Sequence, residues 1–133
     1  MPHLTIQIID DDPDIRESLS DVLEDAGYRA VTSPNGARAL QDLKDGLRPD
    51  LIILDLMMPV MDGWSFRRTL LRDPILATIP VLILSAASNL NGVSELKAAG
   101  LLRKAVRLDE LLASIAKTVN RRAHPGSQRE LPR

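Results

Sequence analysis

The sequence has no cysteine, few aromatic residues and no long hydrophobic run. Without thiolates it can form neither disulfides nor cysteine-rich zinc sites, and it cannot use a cysteine nucleophile. Its two histidines, His3 and His124, lie near the two ends, which disfavours a soft metal site. No apolar run approaches the roughly 20 residues of a membrane span, and the N-terminus lacks the layout of a signal peptide. We therefore expect a cytoplasmic chain without membrane insertion.

The composition that remains is typical of one globular domain. The 133 residues are 44% hydrophobic and 26% charged, which suffices for a domain with a hydrophobic core. Residues 1–62 contain 5 Lys and Arg against 13 Asp and Glu, whereas residues 101–133 contain 8 against 3. The basic end has no interleaved aromatics and no recognition helix, so we expect no specific DNA binding.

Hydrophobic patterning predicts five strands that alternate with five helices. The predicted strands are 4–9, 28–32, 51–54, 79–84 and 101–103, and the predicted helices are 13–26, 37–45, 63–71, 93–99 and 108–119. This alternation favours a parallel sheet with helices on both faces. The periodicity is lost after Arg122, which predicts one domain over residues 4–122 and a disordered tail over 123–133.

Polar side chains stand at the ends of four predicted strands, the edge at which an open parallel sheet binds its ligands. They are Asp10, Asp11, Asp55, Ser85 and Lys104. Taken singly, Asp55 could equally be a strand-ending residue or a helix cap. Carboxylates about 4 Å apart repel by roughly 4 kcal/mol at an effective dielectric near 20, so such a cluster needs a cation. Mg²⁺ is the natural candidate, and an aspartate beside Mg²⁺, a lysine and a hydroxyl can attack phosphorus.

Four motifs in order resemble the response-regulator receiver domain of two-component signalling, over residues 4 to about 120. They are Ile9-Asp10-Asp11-Asp12-Pro13, Leu54-Asp55-Leu-Met-Met-Pro59-Val-Met-Asp62-Gly63, Leu84-Ser85-Ala86 and Lys104. The resemblance implies a flavodoxin-like, doubly wound α/β fold with strand order 2-1-3-4-5. It also implies a stand-alone, chemotaxis-like regulator that is not itself an enzyme. Its phosphoryl donor would be a histidine kinase or a histidine phosphotransfer protein, and monomer or homodimer stays open.

The resemblance also assigns roles to individual residues. Asp55 would be the phosphoacceptor. Asp10 and Asp11 would bind Mg²⁺ together with Asp55 and the backbone carbonyl of Met57. Ser85 would be the switch hydroxyl, and Lys104 would bind the phosphoryl group.

Three features depart from the family pattern. Lys104 follows Gly100 by four positions, a shorter spacing than is usual. Leu101 occupies the switch position that is usually aromatic. Ala105 follows the lysine in place of proline, so its peptide bond is expected to be trans. These departures put the usual output face in question.

Two alternative functions stay open. The altered segment before Lys104 would suit a degenerate receiver that binds a partner without phosphorylation. An aspartate-nucleophile phosphatase is the other alternative, but Asp55-Leu-Met-Met-Pro59 lacks the second acid of the motif Asp-x-Asp-x-Thr.

Overall fold

A five-stranded parallel sheet organises the chain. The computed structural model describes residues 3–58, 60–86 and 90–123. The elements are β1 (Thr5–Ile9), α1 (Pro13–Asp25), β2 (Arg29–Ser33), α2 (Gly36–Lys44), β3 (Leu51–Leu54), α3 (Gly63–Leu71), β4 (Val81–Ser85), β5 (Gly100–Arg103) and α4 (Leu108–Ala123), with 3-10 turns at Leu76–Thr78 and Val93–Leu96. The strand order is β2-β1-β3-β4-β5. The predicted flavodoxin-like fold and its strand order are confirmed.

The prediction of a fourth of five helices at residues 93–99 is wrong. Val93–Leu96 forms a single 3-10 turn, and the described residues contain four α-helices. The turn lies between two left-handed residues, Gly92 at φ 83° and Lys97 at φ 51°. A segment this short cannot offset the cost of nucleating an α-helix. Helix α4 extends to Ala123, and the predicted tail stays a prediction, because residues 124–133 lie outside the described part of the chain.

The sheet is covered on both faces by helices. One face packs against α2 and α3 through residues such as Leu43 and Phe66, and the other packs against α1 and α4 through residues such as Leu23 and Ile115. Ile52 and Leu54 of β3 point to the first face, whereas Leu51 and Ile53 point to the second. Burial on both faces explains why this strand is a continuous apolar run.

The register of the strands brings their carboxyl ends level with one another. Ile9 of β1 pairs with Leu54 of β3, and Leu54 pairs with Ile83 of β4. The residues that follow β1 and β3 therefore emerge side by side at one edge of the sheet. No helix in the described ranges has both the length and the apolar character needed to cross a membrane.

Candidate functional site

Three carboxylates meet at the carboxyl edge of the sheet. Asp10 follows β1 and Asp55 follows β3, and each is 2% exposed, whereas Asp11 is exposed to solvent. One carboxylate oxygen from each of the three lies within 4.8 Å of the others. The structure thus brings together three acids that the sequence places on two strand ends.

Backbone amides fix the two buried carboxylates. The Asp12 N–H donates to Asp10 Oδ1 at 2.9 Å, and the Met57 N–H donates to Asp55 Oδ1 at 3.1 Å. Asp12 also caps α1, with its own carboxylate accepting from the amides of Asp14 and Ile15. The turn that starts α1 therefore also orients the Asp10 carboxylate, which lies just before the helix.

Lys104 joins the two buried acids. Its Nζ lies 2.9 Å from Asp10 Oδ2 and 3.1 Å from Asp55 Oδ2. Burial acts to lower the pKa of Lys104, but hydrogen bonds to these two carboxylates outweigh it and raise the pKa above its ordinary value. The ammonium group therefore stays charged at neutral pH.

One ammonium group does not neutralise three carboxylates. Burial raises the pKa of Asp55, and nearby Asp10 adds to this, whereas the Met57 amide and Lys104 act in the opposite direction. With Lys104 in place, two negative charges of the cluster remain without a cation among the described side chains. The side chains of the cluster offer only carboxylate oxygens as ligands, which fits Mg²⁺.

The remaining predicted site residues are Ser85, Met57 and Leu101, and they differ in how deeply they are buried. Ser85 ends β4 fully buried, and its carbonyl accepts from the Lys104 N–H at 3.0 Å. Met57 contributes its amide to Asp55 while its side chain is 62% exposed, and ligation through its carbonyl stays a prediction. Leu101 lies on edge strand β5 and is 42% exposed. No described peptide bond is cis, so the expected trans bond at Ala105 is confirmed.

Two contributors to the site were missed from the sequence. Arg16, the fourth residue of α1, donates from Nη1 to the Asp10 carbonyl at 2.6 Å. Its spacing from Asp10 gave a signal, because helical side chains lean towards the N-terminus of their helix and so towards the sheet edge. Gly63, predicted as the first residue of the third helix, packs its backbone directly against the backbone of Asp55 and Leu56, a contact that the sequence did not indicate.

Val60, in the loop after β3, has a strained backbone. It is 84% exposed and has φ 72°, a left-handed conformation that is unfavourable for a β-branched residue. We expect Val60→Gly to raise the free energy of unfolding by about 1 kcal/mol. Val60→Ala should give a smaller gain, since it removes the branch but keeps the Cβ. Urea denaturation measures both, and equal stability of the two variants would rule out backbone strain as the cause.

Comparisons with known proteins agree with this geometry. The family model of the response regulator receiver domain matches residues 6–116. The phosphate regulon transcriptional regulatory protein PhoB of Pseudomonas aeruginosa is 36% identical over 126 residues, which cover 92% of this chain and 54% of PhoB. The first curated relatives are longer proteins, of which this chain spans between a third and just over a half.

Two solved structures show the same fold. The signal receiver domain of a signal transduction histidine kinase from Syntrophus aciditrophicus is 34% identical with a TM-score of 0.81, covering 87% of this chain and 89% of its own. The response regulator protein TrrA from Thermotoga maritima, in complex with Mg²⁺ and BeF, is 30% identical with a TM-score of 0.78, covering 86% and 98%. The motifs, the fold and the match over residues 6–116 lead to one conclusion: the chain belongs to the response regulator receiver domain family.

Proposed function

We propose that this receiver domain accepts a phosphoryl group on Asp55 from a histidine kinase or a histidine phosphotransfer protein, in a Mg²⁺-dependent reaction. The observation that carries the proposal is the setting of Asp55. Its carboxylate lies buried at the end of β3, held by the Met57 amide through one oxygen and by Lys104 through the other. A nucleophile oriented in this way loses little freedom when a donor arrives.

The transfer is a displacement at phosphorus. A carboxylate oxygen of Asp55 forms the new bond, the bond from phosphorus to the donor nitrogen breaks, and its electron pair stays on the imidazole. The Lys104 ammonium group, 3.1 Å from Asp55 Oδ2, would donate a hydrogen bond to a phosphoryl oxygen on Asp55. Ser85, the proposed switch hydroxyl, ends the neighbouring strand. The product is an acyl phosphate on a phosphoacceptor that is not a turnover enzyme.

The acid cluster supplies the proposed Mg²⁺ ligands. Asp10, Asp11 and Asp55 offer oxygens within 4.8 Å of one another, and the Met57 carbonyl is the further ligand that the family resemblance implies. Bound Mg²⁺ would supply charge stabilisation to the phosphoryl oxygens. The TrrA structure, which contains Mg²⁺ and BeF, supports such a site by analogy.

Asp11→Asn should weaken Mg²⁺ binding by about tenfold or more, because it removes an exposed anionic ligand without disturbing the buried pair. Trp64 can report binding by fluorescence, since it lies beside Met57 and Met58 after the phosphoacceptor strand. Asp12→Asn is the matched control: its carboxylate caps α1, and asparagine caps equally well. Identical Mg²⁺ titrations of Asp11→Asn and the parent chain would remove Asp11 from the ligand set.

A groove lies beside Lys104. It is about 250 Å³ in volume and lies between α1 and the start of α4, with Ile15, Leu84 and Val106 among its mainly apolar lining residues. Exposed acids of α1 such as Asp14 flank it. We infer that the helices of the donor pack here, since the groove leads directly to Lys104.

The output of the domain is less constrained. Some curated relatives are named as DNA-binding regulators, so they do not support the expectation that DNA binding is absent. That expectation stays a prediction for the residues of this chain, as does its stand-alone arrangement. A test of the first is whether retention on DNA is sequence-selective at about 150 mM salt.

Labelling with acetyl phosphate tests the proposed function. With Mg²⁺, intact-mass measurement should show one phosphate, which is stable to acid, labile to hydroxylamine and located on the peptide containing Asp55. EDTA should prevent the labelling. Absence of labelling under all conditions would favour the degenerate receiver, and continuous hydrolysis of a phosphomonoester would favour the phosphatase. Phosphate located on any residue other than Asp55 would contradict the assignment.

A further inference from the structure

A buried arginine connects α3 to the connection between β4 and β5. Arg67 of α3 is 3% exposed. Its Nε donates to the Leu96 carbonyl at 2.8 Å, and its Nη2 donates to the Lys97 carbonyl at 3.1 Å. Among the described residues it has no carboxylate partner, and its Nη1 is buried without a hydrogen bond. Removing a guanidinium group from water without a carboxylate partner costs free energy, and its hydrogen bonds to carbonyl groups must offset that cost.

Both carbonyls end the crossover turn, by which we mean residues 92–97. A helical turn leaves its last carbonyls without N–H partners, and they attract a positive charge. Arg67 supplies the missing donors from a different helix. Leu96, whose carbonyl is one of the two acceptors, has its side chain buried in the core at 1% exposure. The crossover turn is thus fixed to α3 by Arg67 where the sequence predicted a helix.

Three contributions destabilise the docked position of the crossover turn, by which we mean the position held by the hydrogen bonds of Arg67. Burial lowers the pKa of Arg67, because the charged guanidinium is removed from water. Lys97 has φ 51°, which costs a residue with a side chain of the order of 1 kcal/mol. The unpaired Nη1 adds a third cost. These costs offset part of the stabilisation that the two hydrogen bonds of Arg67 and the burial of Leu96 give to the docked position.

The two segments that Arg67 joins both start at the acid cluster. The first is α3, which begins at Gly63, where the amide donates to the Leu56 carbonyl immediately after Asp55. The second leads away from β4, which ends at Ser85 beside Lys104. Because β3 and β4 are neighbouring strands, a group bound at their carboxyl ends would contact the start of both segments that follow them. The hydrogen bonds of Arg67 span those two segments.

We propose that Arg67 is a clamp whose hydrogen bonds make the crossover turn move together with α3. Occupancy of the Asp55 site is then transmitted to the crossover turn through Arg67, and not through a side-chain movement of Leu101. Leu101 is 42% exposed and has no polar tip, so its side-chain positions differ little in free energy. The clamp itself is a property of the unmodified chain. Its coupling to Asp55 rests on the phosphoacceptor function proposed above.

Hydrogen exchange of the Mg²⁺-free chain tests the clamp. Arg67→Met keeps the apolar stem and removes the donors, and it should speed amide exchange at residues 93–97 by about tenfold or more. Arg68→Met is the matched control, because Arg68 is the next residue of α3 and its guanidinium stacks 5.9 Å from the Trp64 ring centroid. Arg67→Lys keeps a positive charge but loses the planar guanidinium group that reaches both carbonyls, so it should give an exchange rate between those of the parent chain and Arg67→Met. It replaces Arg67→Met in the comparison if that variant does not fold. Equal exchange of residues 93–97 in the Arg67 and Arg68 variants would refute the clamp.

Beryllium fluoride with Mg²⁺, added to the same proteins, tests the coupling. In the parent chain and in Arg68→Met, exchange should change both in residues 60–64 and in residues 93–97. In the Arg67 variant the change in residues 60–64 should remain and the change in residues 93–97 should be lost. A change in residues 93–97 that persists without Arg67 would refute the coupling. If residues 60–64 do not respond even in the parent chain, the proposed phosphoacceptor function fails, and the Mg²⁺-free comparison still decides on the clamp.

Discussion

Asp55→Asn should abolish phosphate incorporation from acetyl phosphate and, without Mg²⁺ at neutral pH, make the folded chain more stable. The first effect follows because the amide has no nucleophilic carboxylate oxygen. The second follows from burial, since Asp55 is 2% exposed and shares Lys104 with Asp10. In the variant, Lys104 keeps its 2.9 Å contact with Asp10, and one buried charge is removed.

The pH dependence of stability separates this explanation from a general packing effect. Burial raises the pKa of Asp55 above its ordinary value of 3.8, so the folded state binds this proton more tightly than the unfolded state does. The resulting stabilisation is complete below pH 3.8 and is lost as the pH rises through the raised pKa. Asparagine has no such dependence. The stability advantage of Asp55→Asn should therefore grow from acidic to neutral pH.

Urea denaturation at several pH values in EDTA, together with intact-mass labelling in Mg²⁺, checks both parts. Asp62→Asn is the matched control, because Asp62 is an exposed acid of the same loop that caps α3, and asparagine preserves the cap. It should keep the labelling and the pH profile of the parent chain. Labelling of Asp55→Asn equal to the parent, or a stability difference independent of pH, would contradict this account.

Local patterns explain most of what could be predicted from the sequence. Burial of β3 on both faces is encoded in a run of four aliphatic residues, and Pro13 marks the start of α1. The strand order followed from the family resemblance, and the parallel register then brought Asp10 and Asp55 together. These features depend either on residues close together in the sequence or on the strand order of a known family, and the sequence supplies both kinds of information.

The crossover turn shows where sequence reasoning stops. Apolar periodicity over residues 93–99 predicts a helix, but the segment is held as one turn by an arginine 29 residues earlier in the chain. Arg67, adjacent to Phe66 on α3, would be expected to face solvent, because a buried guanidinium without a carboxylate partner is rare. Such a contact between distant segments leaves no signal in the local pattern of either one.

The second large effect is expected at Gly63, the first residue of α3. A Cβ there would collide with the Asp55 carbonyl oxygen and would lie 2.6 Å from the Leu56 Cα. Both are backbone atoms that no rotamer change can move, and Gly63 does not have a positive φ, so the effect is one of space. The chain can relieve the collision only by moving α3 away from the end of β3. Gly63→Ala should therefore lower the free energy of unfolding by about 3 kcal/mol.

The same movement should impair phosphorylation. The Gly63 amide donates to the Leu56 carbonyl at 3.0 Å, which fixes the backbone directly after Asp55. A displacement of the order of 1 Å at a reacting group can slow a reaction about a hundredfold. The initial rate of labelling by acetyl phosphate should fall by about that factor in Gly63→Ala, measured at a temperature at which the variant is still folded.

Gly36→Ala provides the graded comparison, because Gly36 is the first residue of α2 as Gly63 is of α3. A Cβ at Gly36 would lie 2.9 Å from the Met61 carbonyl oxygen and 3.0 Å from the Met61 Cγ. The overlap at Gly36 is smaller than at Gly63: the Met61 Cγ can rotate away, and the Met61 carbonyl belongs to a loop, so the collision is cheaper and does not reach the Asp55 backbone. Gly36→Ala should lose less stability than Gly63→Ala and should label at nearly the parent rate. If both variants lose labelling equally, close packing of Gly63 against the phosphoacceptor strand is not what positions Asp55.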